Sequence, residues 1–232
     1  MLTKSHLLLT KYHLLLPVQE LEYCQTVILA VTDETGVRMI VDYLLEASKS
    51  ESKVVKRASV MLLLAHSNHT KGSLNVHISQ LLRGLILLLI DSDPQLLLLV
   101  WETIHSLTKN IDSKDMVNYV NDVRSAVRYA SADLNKLTGG KSTLLPGFCL
   151  PKGIGPILPV FRESLLVGNP EQKELAALAL SEVIQLTSPE GLKTSVVNIA
   201  GPLIRILGDR HVWRYALSDH FRSLLTPIPK QF

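Results

Sequence analysis

At 232 residues with 47% hydrophobic side chains, the chain has ample apolar content for a core, which excludes a disordered polypeptide. Only 5% of residues are aromatic and the apolar fraction is dominated by Leu, Ile, Val and Ala, a composition for helix-on-helix packing rather than a β-sandwich. With 24 basic against 21 acidic residues the net charge is +3, too small for the field that draws a protein onto DNA or an anionic membrane.

Cys24 and Cys149 lie far apart and outside any C-x-x-C pattern, so neither a disulfide framework nor a zinc site is indicated, and a reducing compartment fits. The apolar start is interrupted by Lys11 and His13 and lacks a clean cleavage site, so it reads as helix rather than signal peptide. The apolar block from Leu81 to Ile90 contains Arg83 and falls well short of the roughly 20 residues a membrane span needs. A cytoplasmic protein with no membrane contact is expected.

Turn and capping signals cut the chain into helix-length blocks with apolar residues three and four apart. The first, 34–49, carries Val37, Ile40, Val41, Leu44 and Leu45 on one side; a second covers 52–66. Further helices are predicted over 74–90, 94–109 and 114–137. The stretch 138–153 is rich in Gly, Pro, Ser and Thr, cannot continue a helix, and reads as an irregular loop insertion. Helices resume over 154–167, 170–186 and 192–207. The resulting domain plan is a divergent helical segment 1–32, repeats over 33–137, the insertion 138–153, repeats over 154–208 and a divergent tail 209–232.

Three of these helices share a template. Glu51, Asp93 and Asn169 occupy N-cap-like positions, Ala58, Val100 and Ala176 stand seven residues later, and Pro94 and Pro170 fill the first helical position. The step from Glu51 to Asp93 is 42 residues, inside the period of about 40–47 of HEAT and armadillo arrays; the step to Asn169 is 76, nearly two periods. The fold class is therefore all-α, a HEAT/armadillo-like α-solenoid of stacked antiparallel helix pairs, with a single globular bundle as the rival. No repeat has the polar face of a capping repeat, so the chain reads as a piece of a longer array.

Catalytic chemistry is not indicated. The histidines are scattered, and His66 and His69 stand three apart without an acidic or cysteine companion, so no metal is expected. Gly139 to Thr143 holds the tail of a phosphate-binding loop, but the earlier glycine is replaced by Asn135, a helix precedes it and Pro146 follows. It reads as a loop, and no cofactor is expected. Lys56 and Arg57 are placed on the outer part of the 52–66 helix; Arg83 lies on another helix, and Arg124 and Arg128 share a face. Singly, each reads as a solvated surface charge. Trp101 and Trp213 read as core or inter-repeat packing.

The string from Pro146 through Glu163, with Gly168 to Glu174, Ile184 to Ser188 and Gly201 to Arg210, resembles the C-terminal HEAT array of the general-control translational activator. That family is the ribosome-bound scaffold that activates the kinase phosphorylating the α subunit of translation initiation factor 2. Thr32 to Ile40 and Lys56 to Ser59 are similar but shorter. The resemblance implies a non-enzymatic scaffold in starvation and ribosome-stall signalling that binds the RWD domain of the kinase, with possible ribosome contact through the parent array. It implies an arginine as an important contact, for which Arg57, with Lys56, is the best candidate. The alternative is a structural spacer or a generic HEAT adaptor. The sequence departs from the family pattern after Arg210.

Overall fold

The computed structural model describes residues 18–69, 74–140 and 143–207. The start of the 1–32 segment, the tail after Arg210 with Trp213, and Lys141 and Ser142 of the Gly-Lys-Ser string lie outside the described residues. All regular structure among the described residues is helical. The helices are α1 (Val18–Ala30), α2 (Glu34–Ala47), α3 (Lys53–His69), α4 (Ile78–Leu87), α5 (Pro94–Lys109), α6 (Val120–Thr138), α7 (Leu158–Val167), α8 (Pro170–Gln185), α9 (Pro189–Lys193) and α10 (Val196–Leu207). Single 3₁₀ segments stand at Asn75–His77, Leu88–Ile90, Ser113–Tyr119 and Pro146–Cys149.

Side-chain patterning explains how they stack. On α2, Val37, Val41, Leu44 and Leu45 are buried at helical spacing while Met39 and Tyr43 face solvent. Each such buried side chain contributes about 1.5–3 kcal/mol. In α3 every residue from Ser59 to Ser67 is buried, because the helix has neighbours on several sides: α1, α2 and α5.

The contacts define two layers. One is α2, α4, α6 and α8, each packed on the next; the other is α1, α3 and α5, continued by α7 and α10. In it, α7 packs against the 3₁₀ segment that follows α5. Helices two apart in sequence are lateral neighbours and consecutive helices pack across the layers. This is a HEAT-type solenoid rather than a closed bundle.

The template needs two corrections. The helix begins after Ser52, not Glu51: the Ser52 carbonyl accepts the Lys56 N–H at 3.0 Å. Serine is a strong N-cap type, and Glu51 simply precedes it. Asn169 does head a helix, with a full capping box in which Asn169 and Gln172 exchange two 2.9 Å hydrogen bonds. Yet α8 belongs to the layer of α2, α4 and α6, whereas α3 and α5 lie in the other, so its cap is not repeat-equivalent to theirs.

The stretch from Leu145 to Ile157 contains no long helix but is packed like core. Leu145, Phe148 and Ile154 are fully buried and Ile157 almost so. The Leu145 N–H donates to the Leu186 carbonyl at 2.9 Å, and the Trp101 indole N–H donates to the Lys152 carbonyl at 2.9 Å. The Pro146–Cys149 turn touches Leu88–Ile90, α5 and α9, so this strap ties non-adjacent repeats together. Gly191 is required here, because a Cβ at that position would run into the Phe148 carbonyl.

Candidate partner-binding surface

Lys56 and Arg57 sit on the second turn of α3, facing the loop that leads into α5. The Arg57 guanidinium grips Asp93 through Nε to Oδ2 at 2.6 Å and Nη2 to Oδ1 at 2.7 Å. The Lys56 ammonium meets Asp91 Oδ2 at 2.6 Å. Asp91 also accepts the Asp93 N–H, and Asp93 accepts the Gln95 N–H as N-cap of α5. The Arg57 and Lys56 side chains are 19% and 22% exposed, and Asp93 is 4% exposed. Lys56 and Arg57, expected on the outer part of the helix, thus form a largely sheltered clasp on the loop before α5. The string Asp91-Ser92-Asp93-Pro94, legible as a helix stop and cap, supplies the acceptors.

Burial alone would raise the Asp93 pKa, but hydrogen bonds from Arg57 and the N–H groups of Gln95 and Leu96 outweigh it and hold the carboxyl below its ordinary 3.8.

The other layer is laced in the same way. Asp42 on α2 accepts from the Gln80 amide of α4 at 2.5 Å. Arg83 on α4 reaches Asp122 of α6 at 2.6 Å, and Arg124 on α6 is bidentate to Glu182 of α8, with Nη2 to Oε1 at 2.7 Å. Arg128 approaches the same carboxylate at 3.5 Å. The arginines read singly as surface charges are therefore rungs between successive repeats. Sequence spacing alone did not reveal this, although the steps Asp42 to Gln80 and Arg83 to Asp122, 38 and 39 residues, are close to the repeat length.

Beside the Lys56 clasp lies a groove of about 1120 Å³ between the C-terminal ends of α2, α4 and α6 and the N-terminal end of α3. Its floor is apolar, with Leu45, Leu87, Leu88, Ile90 and Leu134, and Leu137 stands 75% exposed at its lip. Gly84 is part of the lining: a Cβ there would meet Leu45 Cδ2 at 2.6 Å and displace the end of that side chain. Lys56 is the one sequence-predicted site residue on its wall; Arg57 lies behind it. Among the described residues, no group of His, Cys, Asp and Glu is placed to hold a metal ion, and no helix is long and apolar enough to cross a membrane.

The family model described as stalled ribosome sensor GCN1-like, HEAT repeats, matches residues 10–152. The chain belongs to this GCN1-like HEAT-repeat family. It is 41% identical over 212 residues to the stalled ribosome sensor GCN1 of Homo sapiens, covering 90% of this chain and 8% of that protein. It is 35% identical over 199 residues to Protein ILITYHIA of Arabidopsis thaliana, covering 85% of this chain and 7% of the relative. The eIF-2-alpha kinase activator GCN1 of Saccharomyces cerevisiae is 28% identical over 185 residues, 79% of this chain and 7% of its own length. The chain thus spans less than a tenth of these relatives. The family match begins inside the 1–32 stretch whose likeness the motifs did not place. No solved structure matches the chain.

Proposed function

We propose that this chain is a protein-binding HEAT segment of a cytoplasmic, ribosome-associated array, and that it holds the RWD domain of the kinase that phosphorylates the α subunit of initiation factor 2. The observation that carries the reading is the open apolar groove beside Lys56, in a family whose yeast member bears the name eIF-2-alpha kinase activator. Preformed apolar surface on rigid helices binds without an ordering penalty, which suits a scaffold.

In this reading Lys56 and Arg57 are positioning residues. Their charges are already matched by Asp91 and Asp93, so their part is to fix the α3–α5 edge that walls the groove. The ladder of inter-repeat ion pairs favours one second reading, a structural spacer whose polar side chains only hold neighbouring repeats in register.

Calorimetric titration of the folded chain with the RWD domain separates the two. Micromolar or tighter binding, weakened by Leu137→Glu while circular dichroism stays unchanged, supports the tether. A fully helical chain that takes up no RWD domain leaves the spacer.

A further inference from the structure

We infer that the groove receives an amphipathic helix of a protein partner, bearing an apolar stripe flanked by lysine or arginine. The inference deepens the partner-binding reading above and rests on it for the claim that the groove is used, but the chemistry of the occupant comes from the groove itself.

Shape comes first. The volume of about 1120 Å³ exceeds the roughly 300–1,000 Å³ of pockets that enclose small molecules, and the cleft runs across the ends of four helices rather than into the core. Its floor offers aliphatic side chains from α2, α4 and α6. A helix laying a stripe of residues at three- and four-residue spacing into such a floor is the standard way to cover it.

Charge then selects the occupant. The groove is lined by five carboxylates and three ammonium groups. Glu46 and Lys49 neutralise each other at 2.6 Å, as do Lys56 and Asp91. Asp133 is paired in turn with Lys136 at 3.0 Å, which leaves Asp42 and Glu51 against Lys53, an excess of one carboxylate. Among the described residues, Asp42 accepts only the neutral Gln80 amide, so no cation offsets it there.

The backbone adds to this excess. Three helices, α2, α4 and α6, end at the groove with their C-termini, where the helix dipole and the last carbonyls are negative, whereas only α3 begins there. The groove therefore favours a cationic flank and disfavours an acidic one, and long-range attraction gives the pairing a salt-sensitive association rate.

The test uses the folded chain and two fluorescein-labelled peptides about 18 residues long, long enough for five helical turns. Both carry the same leucine stripe; one has lysine flanks and the other glutamate. Anisotropy is expected to show the lysine peptide binding about tenfold tighter than its twin. Leu137→Asn, which removes apolar lip surface without adding charge, or Asp133→Lys should each weaken that binding about tenfold, as each alters one exposed lip residue. Equal affinity for both peptides, no binding of either, or indifference to Leu137→Asn overturns the inference. Unlabelled RWD domain is then added as competitor. A lysine peptide that behaves as expected but is not displaced upholds the groove chemistry and rejects the RWD domain as its occupant. An RWD domain that binds the chain with full affinity despite Leu137→Glu keeps the tether and overturns the groove as its site.

Discussion

Asp93 is held by Arg57 across the boundary between two repeats. Its carboxylate takes two hydrogen bonds from the guanidinium, at 2.6 and 2.7 Å, and a third from the Gln95 N–H at 3.1 Å. One nearly buried side chain thus closes the head of α5 and the flank of α3. Removing the guanidinium leaves a carboxylate with 4% exposure short of two donors.

Arg57→Ala should therefore cost about 2–3 kcal/mol of stability, since it strands a largely desolvated charge. Arg57→Lys keeps the charge but loses the fork, and should cost about 1 kcal/mol. Lys49→Ala is the control: its pair with Glu46 is solvent-exposed on both sides, and the change should stay within about 0.5 kcal/mol. Urea unfolding followed by circular dichroism measures all three. Equal effects of Arg57→Ala and Lys49→Ala would refute the clasp.

The strap gives a second expectation. Phe148 is fully buried among elements of different repeats, so Phe148→Ala should cost about 3–5 kcal/mol, as for other large core truncations. Gly191→Ala should also destabilise, because the obstructing atom is the Phe148 backbone carbonyl, which no rotamer change can move. Thermal unfolding checks both; a wild-type melting temperature in Phe148→Ala would show the strap to be dispensable.

These two cases mark where the sequence was legible. The helices α2 to α5 follow from apolar periodicity and, for α5, from the cap at Asp93, which are local signals; the Asp33 cap of α2 was not read. The strap was read as a loop because Pro146, Gly147, Pro151 and Gly153 break every helical period. Its buried Leu145, Phe148 and Ile154 were the available sign of core. The destinations of Lys56, Arg57 and Arg124 were not legible, because charge type and helix face do not say whether the next repeat supplies a carboxylate. The Asn169 cap was found, yet its layer was missed: the strap between α6 and α7 breaks the count of helix pairs.

Acid should weaken the chain in two stages. Burial lowers the His66 pKa below its ordinary 6.5, with the charge of His77 acting in the same direction and a backbone hydrogen bond opposing. The unfolded chain then binds more protons than the folded one, so stability falls as pH drops below 6.5 and levels off below the folded value. Asp93 acts lower: its contribution is present above 3.8 and is lost as pH falls through its depressed folded value. Chemical denaturation at a series of pH values measures both stages, and His66→Gln should flatten the upper one. A wild-type profile level between about pH 6.5 and 5 would contradict the assignment to His66.

The inter-repeat ladder predicts a graded series. Arg124 makes a bidentate, half-sheltered pair with Glu182, whereas Arg83, with its side chain 61% exposed, pairs with Asp122. Arg124→Ala should cost about 1–2 kcal/mol, and Arg83→Ala about half that or less, because solvent screens the second pair. Raising the salt concentration should shrink the difference at Arg83 more than at Arg124. Double-mutant cycles with Asp122→Ala and Glu182→Ala measure the couplings directly; a larger coupling at Arg83 would contradict this ordering.

Hydrogen–deuterium exchange of the chain, alone and with saturating RWD domain, tests the central claim most directly. Slowed exchange is expected in the last turns of α2, α4 and α6 and the first turn of α3, around Leu137 and Lys53. Slowing confined to other helices, or none at all while the chain remains fully helical, would contradict the groove as the site where the kinase domain is held.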